Sequence, residues 1–427
     1  MKKLAAFALA LLMAHPALAA KRVTVAQLDQ TLAAANAAHR PDADLARQLG
    51  EIELNERLTD TTLNRLATRL TLGPRTALAL QMLAYQSAFL APPASELPAN
   101  PSPDAATQQR MMDAARNYVI QTVPHLVNFF VTRTTSHFDD TPQVLVAGNW
   151  PVRAGLHPVG TTTLESTFRD GQESQQLLPP STRQPQTEAG LHSWGEFGPA
   201  LAVVLTDTIK GKIAFSHWEE TPSGPAAVYR YAVPKSASHY VVNYCCLLDD
   251  PSVSRRMATG AALVTPDPLL VPPAENTSSH AFREMPGYHG SLAIDPASGA
   301  VLRITIEAEL NGSDPLTRAA TLIEYGSVSI GNQSFICPVR ALALSTQDAP
   351  AHPQAAASPG DWGNALARPA SGPSLLLNET RFTDYHRLAA TARIVPGNSN
   401  AARQQNAEPE APATAPENKA PSPAPRQ

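Results

Sequence analysis

Two short stretches bring imidazoles and carboxylates close enough in sequence to do chemistry. His137-Phe138-Asp139-Asp140 sets one imidazole beside two carboxylates at the end of a β-branched run. Such a group can hold a divalent cation or pass protons between a base and an acid. A polar turn entered by a strand accounts for the same residues without chemistry, and is the favoured reading. Ser216-His217-Trp218-Glu219-Glu220 raises the same question. In a strand His217 and Glu219 share one face while Trp218 and Glu220 share the other. A solvated face with one inward aromatic is again favoured. A third short run, Asp384-Tyr385-His386, adds another acid and imidazole. Neither of the first two clusters has a neighbour in sequence that would complete a ligand set.

The chain contains no G-x-S-x-G elbow, H-E-x-x-H helix, P-loop, G-x-G-x-x-G turn or EF-hand loop. These are the patterns by which nucleophilic, zinc, phosphate, dinucleotide and calcium sites announce themselves. No catalytic, cofactor-binding or metal-binding residue is therefore assigned, and no cofactor is expected. Active sites assembled from distant residues leave no such signature.

Cys245, Cys246 and Cys337 are the three cysteines. Adjacent strand residues point to opposite faces, so Cys245 and Cys246 cannot both reach Cys337. Cys246 alternates with Tyr240, Val242 and Tyr244, and Cys337 with Phe335 and Val339. If both apolar sets point inward, Cys246–Cys337 is the expected disulfide, with three buried free thiols as the alternative. An activated cysteine is disfavoured because no base adjoins any of them.

The elements around these residues follow from composition and punctuation. The chain has 427 residues, 40 prolines, 16% charged residues and a formal charge of −4. That near-neutral balance provides no basic field for a nucleic-acid backbone, so nucleic acid is excluded as a partner. Residues 1–19 have the form of a signal peptide: Lys2 and Lys3, an apolar run from Leu4 to Met13, and Ala17-Leu18-Ala19 before the cleavage point. The apolar run is too short to span a bilayer, and no later run reaches spanning length. A periplasmic or secreted protein with no transmembrane segment after cleavage is expected.

Residues 20–91 read as helical, with Thr59 or Asp60 as an N-cap and Gly73-Pro74 as a break. Residues 92–103 are a proline-rich linker, and Asp104 caps a longer helix that Pro124 is expected to kink or end. From there residues 104–395 read as one helix-plus-sheet domain with irregular loops at 249–286 and 346–373. Strands are expected at 131–138, 159–178, 213–220, 226–234 and 238–248, with a hairpin at Asp170-Gly171 and a short helix after Gly198-Pro199. Tyr288–Leu344 gives four more strands, and residues 374–395 a closing strand or pair of strands. Residues 396–427, nearly free of large apolar side chains, are expected to be disordered. Helices grouped ahead of a run of strands make the fold class α+β, with a large curved antiparallel sheet packed on a helix.

The blocks LVNFFVTRTTSHFDD, GEFGPALAVVL, YHGSLAIDPASGAVLRIT and EYGSVSIGNQSFICPVRALALS resemble those of secreted proteins common in acidobacteria. That resemblance implies a shared fold and export, and no activity. The hairpin of form G-x-x-x-IDP-x-S-G-x-x-L-R-I, with a helix interrupting antiparallel strands, is similar to the periplasmic lipoprotein-carrier superfamily of LolA and RseB. The similarity implies a half-barrel sheet over helices, enclosing an apolar cavity, and carries over no ligand-contacting residue. A non-catalytic binding or carrier protein of the cell envelope is the expected function, its partner an apolar, lipid-like molecule or a polypeptide. A deep pocket lined by Leu, Val and Phe between sheet and helix would support it; a sheet face packed solid by the 104–123 helix would count heavily against it. The alternatives are a secreted hydrolase, which needs the three acid–imidazole segments in one cleft, and an envelope structural or adaptor protein.

Overall fold

The computed structural model describes residues 21–140, 155–177, 190–221, 224–248, 279–347 and 374–388. The expected signal peptide, the tail and most of both long loops lie outside the described residues. Four helices come first: α1 (Val25–Ala37), α2 (Asp42–Gly50), α3 (Asp60–Arg69) and α4 (Pro74–Ser87). Thr59 is the N-cap of α3, its side chain accepting the Thr62 N–H, which satisfies one of the orphan donors at a helix start. Asp42 does the same for α4 across space, accepting the Arg75 and Thr76 N–H groups at 3.0 and 2.9 Å. β1 (Lys21–Val23) and β2 (Ile52–Leu54) pair in parallel, and Leu28, Leu32, Leu49 and Leu66 make a small core of their own. α5 (Ala105–Gln121) starts on Asp104 as expected and gives way to a single 3-10 turn at Pro124.

The strands that follow are β3 (Phe129–Asp139), β4 (His157–Arg169), β5 (Gln172–Leu177), β6 (Gly190–Leu191), β7 (Lys212–Thr221), β8 (Gly224–Val233), β9 (Val242–Leu248) and β10 (Ser279–Glu284). A nine-residue helix, α6 (Pro199–Asp207), stands between β6 and β7. β11 (Gly287–Ile294), β12 (Val301–Glu309), β13 (Leu316–Ile330), β14 (Gln333–Gln347) and β15 (Ser374–Arg387) complete the described chain. Ten of them form one sheet in the order β5-β4-β3-β15-β14-β13-β12-β11-β8-β7. Every pairing within it is antiparallel, so the α+β class stands. The four strands of Tyr288–Leu344 lie side by side as expected. The last strand, β15, is inserted between β14 and β3, so the sheet is completed only once nearly all of the chain is present.

The outcome departs from expectation at β9. It leaves the main sheet and joins β6 and β10 in a separate three-stranded sheet. Cys337, on β14 of the large sheet, is a free buried thiol, so it makes no bond to Cys246. The earlier pairing assumed two inward faces of a single sheet, and the strands belong to two. Cys245 is engaged with a partner.

Alternation along each central strand divides the residues between two faces. Ile323, Ala341 and Ala343 join α5, α6 and β9 in the largest core. Leu322, Leu342, Leu344 and Leu377 point the other way, against Met82 and Tyr85 of α4. We call these the inner and outer faces. The middle of the sheet is buried on both, so residues 319–323 of β13 and 341–345 of β14 are buried without a break, whereas β4 is largely exposed.

Gly290 in β11 shows how tight the inner layer is. A β-carbon there would sit 1.8 Å from the Thr305 carbonyl oxygen and 2.8 Å from the Tyr231 hydroxyl. Tyr231 lies across the glycine and donates to that same carbonyl at 2.6 Å. The obstacle is backbone and cannot rotate away. Gly290→Ala is expected to cost about 3 kcal/mol, the upper end of overpacking. Chemical unfolding would read the loss, and an unchanged midpoint would contradict this account of the packing.

Candidate functional site

The first acid–imidazole cluster is dispersed by the sheet. His137 is held between Asn378 Oδ1 at 2.8 Å and Thr162 Oγ1 at 2.9 Å, on strands either side of β3. Asp139 meets His157 across β4 at 3.4 Å. Asp140 accepts the Leu375 N–H at 2.7 Å, fastening the start of β15. These are ladder-end contacts, and the three side chains serve different neighbours. The Asp384-Tyr385-His386 run is spent similarly: Tyr385 donates to the Pro338 carbonyl at 2.5 Å and His386 lies over the Phe130 ring at 5.1 Å. Among the described residues, no group of three or more His, Cys, Asp or Glu is placed to hold a metal.

The second cluster becomes something different. Glu219 lies on the outer face near the β7 edge. It takes both terminal nitrogens of Arg303, each at 2.8 Å, and the Arg57 Nη2 at 2.6 Å. His217 Nε2 is 2.9 Å from the same carboxylate, and its Nδ1 is 2.9 Å from Ser216 Oγ. Ser216 sits at a register shift between Phe215 and His217, and such a bulge re-aims a side chain. Burial alone would raise the Glu219 carboxyl; the His217 hydrogen bond and the two guanidiniums outweigh it and hold the group well below the usual carboxylate range. The run Ser216–His217–Glu219 has the order nucleophile–base–acid. Yet the carboxylate's charge is already balanced by two arginines, so little is left to support proton transfer. It works as a clamp. Arg57 lies between β2 and α3, its N–H fixed on the Ala91 carbonyl, and through Glu219 it ties the N-terminal helices to the sheet.

β3 and β7 are separated by six strands, roughly 30 Å along the sheet at about 4.8 Å per strand. The segments required by the hydrolase alternative therefore do not converge.

The inner face holds what sequence reading missed. α5 and α6 pack on it and leave a narrow cleft of about 10 Å³ lined by Tyr118, Leu126, Phe197, Leu201, Val301 and Tyr325, with no charged residue in its walls. Gly198 also lines it, at φ 138°. A β-carbon there would strike the Val123 side chain at 2.3 Å, so only glycine admits this approach. Two residues before Gly198 is Glu196, fully buried. Glu196 Oε1 accepts Ser193 Oγ at 2.7 Å and meets Arg133 Nη2 at 3.3 Å. Glu196 Oε2 and the Tyr325 hydroxyl have no hydrogen-bond partner among the described residues. Glu196 gave no signal in sequence because its arginine lies on β3, far upstream. Burial pushes the Cys337 thiol up to about 12, which makes it a poor nucleophile.

A larger recess of about 250 Å³ opens among the N-terminal helices, lined by Leu32, Ala35, His39, Arg40, Asp42 and Leu45 among others. Asp42 is occupied in capping α4. No acid–base pair is assembled there.

Among the described residues, no helix is long and apolar enough to cross a membrane. No family model matches the chain, and no curated protein is similar to it. Among solved structures it is similar to a LolA superfamily protein from Nitrosomonas europaea, at 8% identity and a TM-score of 0.25. The match covers 66% of this chain and 93% of that one. The likeness is shallow, and the fold and cleft stand on their own geometry.

Proposed function

We propose that the protein is a non-catalytic binding or carrier protein for an apolar ligand, taken up between α5, α6 and the inner face of the large sheet. The observation behind this reading is the cleft wall: apolar and tyrosyl side chains with no charge among them, the lining typical of small-molecule sites. As it stands the cleft is closed. The helices pack the face almost as the 104–123 helix was expected to do if the reading failed, and a ligand has to part them. α6 is suited to this because it belongs to no strand ladder. It is entered through Gly195 and Gly198, both at positive φ, and left at Gly211. Rotation about those glycines would lift the helix without breaking a pairing of the sheet. The export expected from residues 1–19 makes the cell envelope the compartment of this activity.

The test is binding of N-phenyl-1-naphthylamine, an apolar dye whose emission rises out of water, to the purified chain. A saturable rise at one dye per chain, displaced by a long-chain alcohol, is the expected result. A linear, non-saturating response would sink the proposal.

A further inference from the structure

Hydrogen-bonding groups buried without a partner are rare because leaving one unmade costs more than a made bond gains. Two of them adjoin the cleft. Tyr325 lines it, and its hydroxyl is buried and unpartnered; Glu196, next to the lining residues Phe197 and Gly198, has one oxygen in the same state. The arrangement suits an end group that both donates and accepts, as a hydroxyl does: it can donate to a carboxylate oxygen while accepting from a phenol.

Charge decides which end groups are refused. Glu196 already has its counter-ion in Arg133. A carboxylate entering the cleft would bring a second negative charge close to Glu196, where low polarity strengthens repulsion. An ammonium would bring a positive charge with no unpaired anion to meet it. The phenol keeps its proton: burial first, and then the charge of Glu196, raise Tyr325 well above its ordinary value.

Resting on the carrier reading, we infer that the ligand is an uncharged amphiphile. Its apolar body lies between α5, α6 and the sheet, and a neutral hydroxyl or amide end meets the Tyr325 hydroxyl beside the Arg133–Glu196 pair. Free fatty acids in ionised form are excluded, whereas a long-chain alcohol or an uncharged acyl amide fits.

Competition of tetradecan-1-ol, tetradecane and tetradecanoate against the naphthylamine dye at pH 8 tests this on the full chain. The alcohol is expected to bind about five- to tenfold more tightly than the alkane, the value of one hydrogen bond, and tetradecanoate more weakly than the alcohol. In Tyr325→Phe the alcohol's advantage over the alkane shrinks to about twofold or less. The variant's thermal midpoint should be no lower than that of the parent, since the change deletes an unpaired hydroxyl. Alcohol and carboxylate binding alike, or a preference that survives in Tyr325→Phe, overturns the end-group inference and leaves the carrier reading standing. A midpoint several degrees lower shows that Tyr325 has a partner in the native state and also overturns it. If none of the three competes and the dye itself does not saturate, the carrier reading falls and takes this inference with it.

Discussion

Glu219→Gln is expected to lower the unfolding free energy by about 3–5 kcal/mol, the range for breaking a buried ion pair by removing one partner. The side chains concerned are shielded, with 8% of Glu219, 13% of Arg57 and 16% of Arg303 exposed. Glutamine keeps the volume and can accept from one guanidinium, but it leaves two buried cations with only Glu324 nearby, whose carboxylate is already taken by Arg340. Burial, and then the charge of Arg303, already pull Arg57 below its ordinary value. Loss of Glu219 would remove the charge and hydrogen bond that oppose both effects. An exposed pair gives the contrast: Arg22–Glu53, 78% and 52% exposed, should lose no more than about 1 kcal/mol in Glu53→Gln. Urea unfolding of the two variants side by side makes the comparison, and equal losses would refute the clamp. Acid adds a second reading. The Glu219 carboxyl is depressed in the folded state, so its stabilisation is present above the unfolded value, about 4.3. It is lost as the pH falls from there through the folded value. The gap between parent and variant should therefore narrow progressively below about pH 4, by about 1.4 kcal/mol per pH unit.

How far the sequence foretold this clamp depends on distance along the chain. Glu219 and His217 were visible as a pair because a strand puts them on one face. Arg57 lies between β2 and α3, and Arg303 lies in β12, 84 residues beyond Glu219. Only the sheet order brings them together, and strand order between non-neighbours is a tertiary fact. The same limit governs Arg133 and Glu196. Where signals were local, the reading held: Thr59 and Asp104 cap their helices, Asp170 and Gly171 take positive φ in a two-residue hairpin, and Pro124 stops α5. The error at β9 has a related cause. Alternation of Tyr240, Val242 and Tyr244 establishes that one face is buried, and they are buried, but the pattern cannot say in which sheet. The expected disulfide inherited that ambiguity. The cleft was legible only as a class of lining, since its closure depends on how α6 settles against the sheet.

Alkaline titration should show the phenols of this protein ionising together with unfolding and not ahead of it. All nine tyrosines are raised above their ordinary value, and in each burial is the first cause. Tyr118, Tyr229 and Tyr244 reach about 12. Several hydroxyls also donate to fixed acceptors: Tyr231 to the Thr305 carbonyl at 2.6 Å, Tyr288 to Asp207 at 2.8 Å and Tyr385 to the Pro338 carbonyl at 2.5 Å. Ionisation would remove each donor and set a phenolate against an oxygen. The sign follows from proton counting. A phenol raised in the folded state stabilises the fold fully below the unfolded value, about 10. That contribution is lost as the pH climbs from 10 toward the folded value. Each proton released on unfolding steepens the fall by about 1.4 kcal/mol per pH unit, and most of nine would be released. A domain stable by about 5–15 kcal/mol would then unfold within one or two pH units above 10. Phenolate absorbance and far-ultraviolet circular dichroism, followed together, should give coincident, steep transitions. Tyr118 and Tyr325 are the exception the carrier reading allows, because lifting the Gly198 end of α6 would wet both while Tyr288 still holds Asp207 at the other end. An early reversible phase limited to these two, removed for Tyr325 by Tyr325→Phe, would report the opening that binding requires. More than two phenols titrating near pH 10 with the dichroism intact would mean that the inner layer is far looser than the packing around Gly290 and Tyr231 permits.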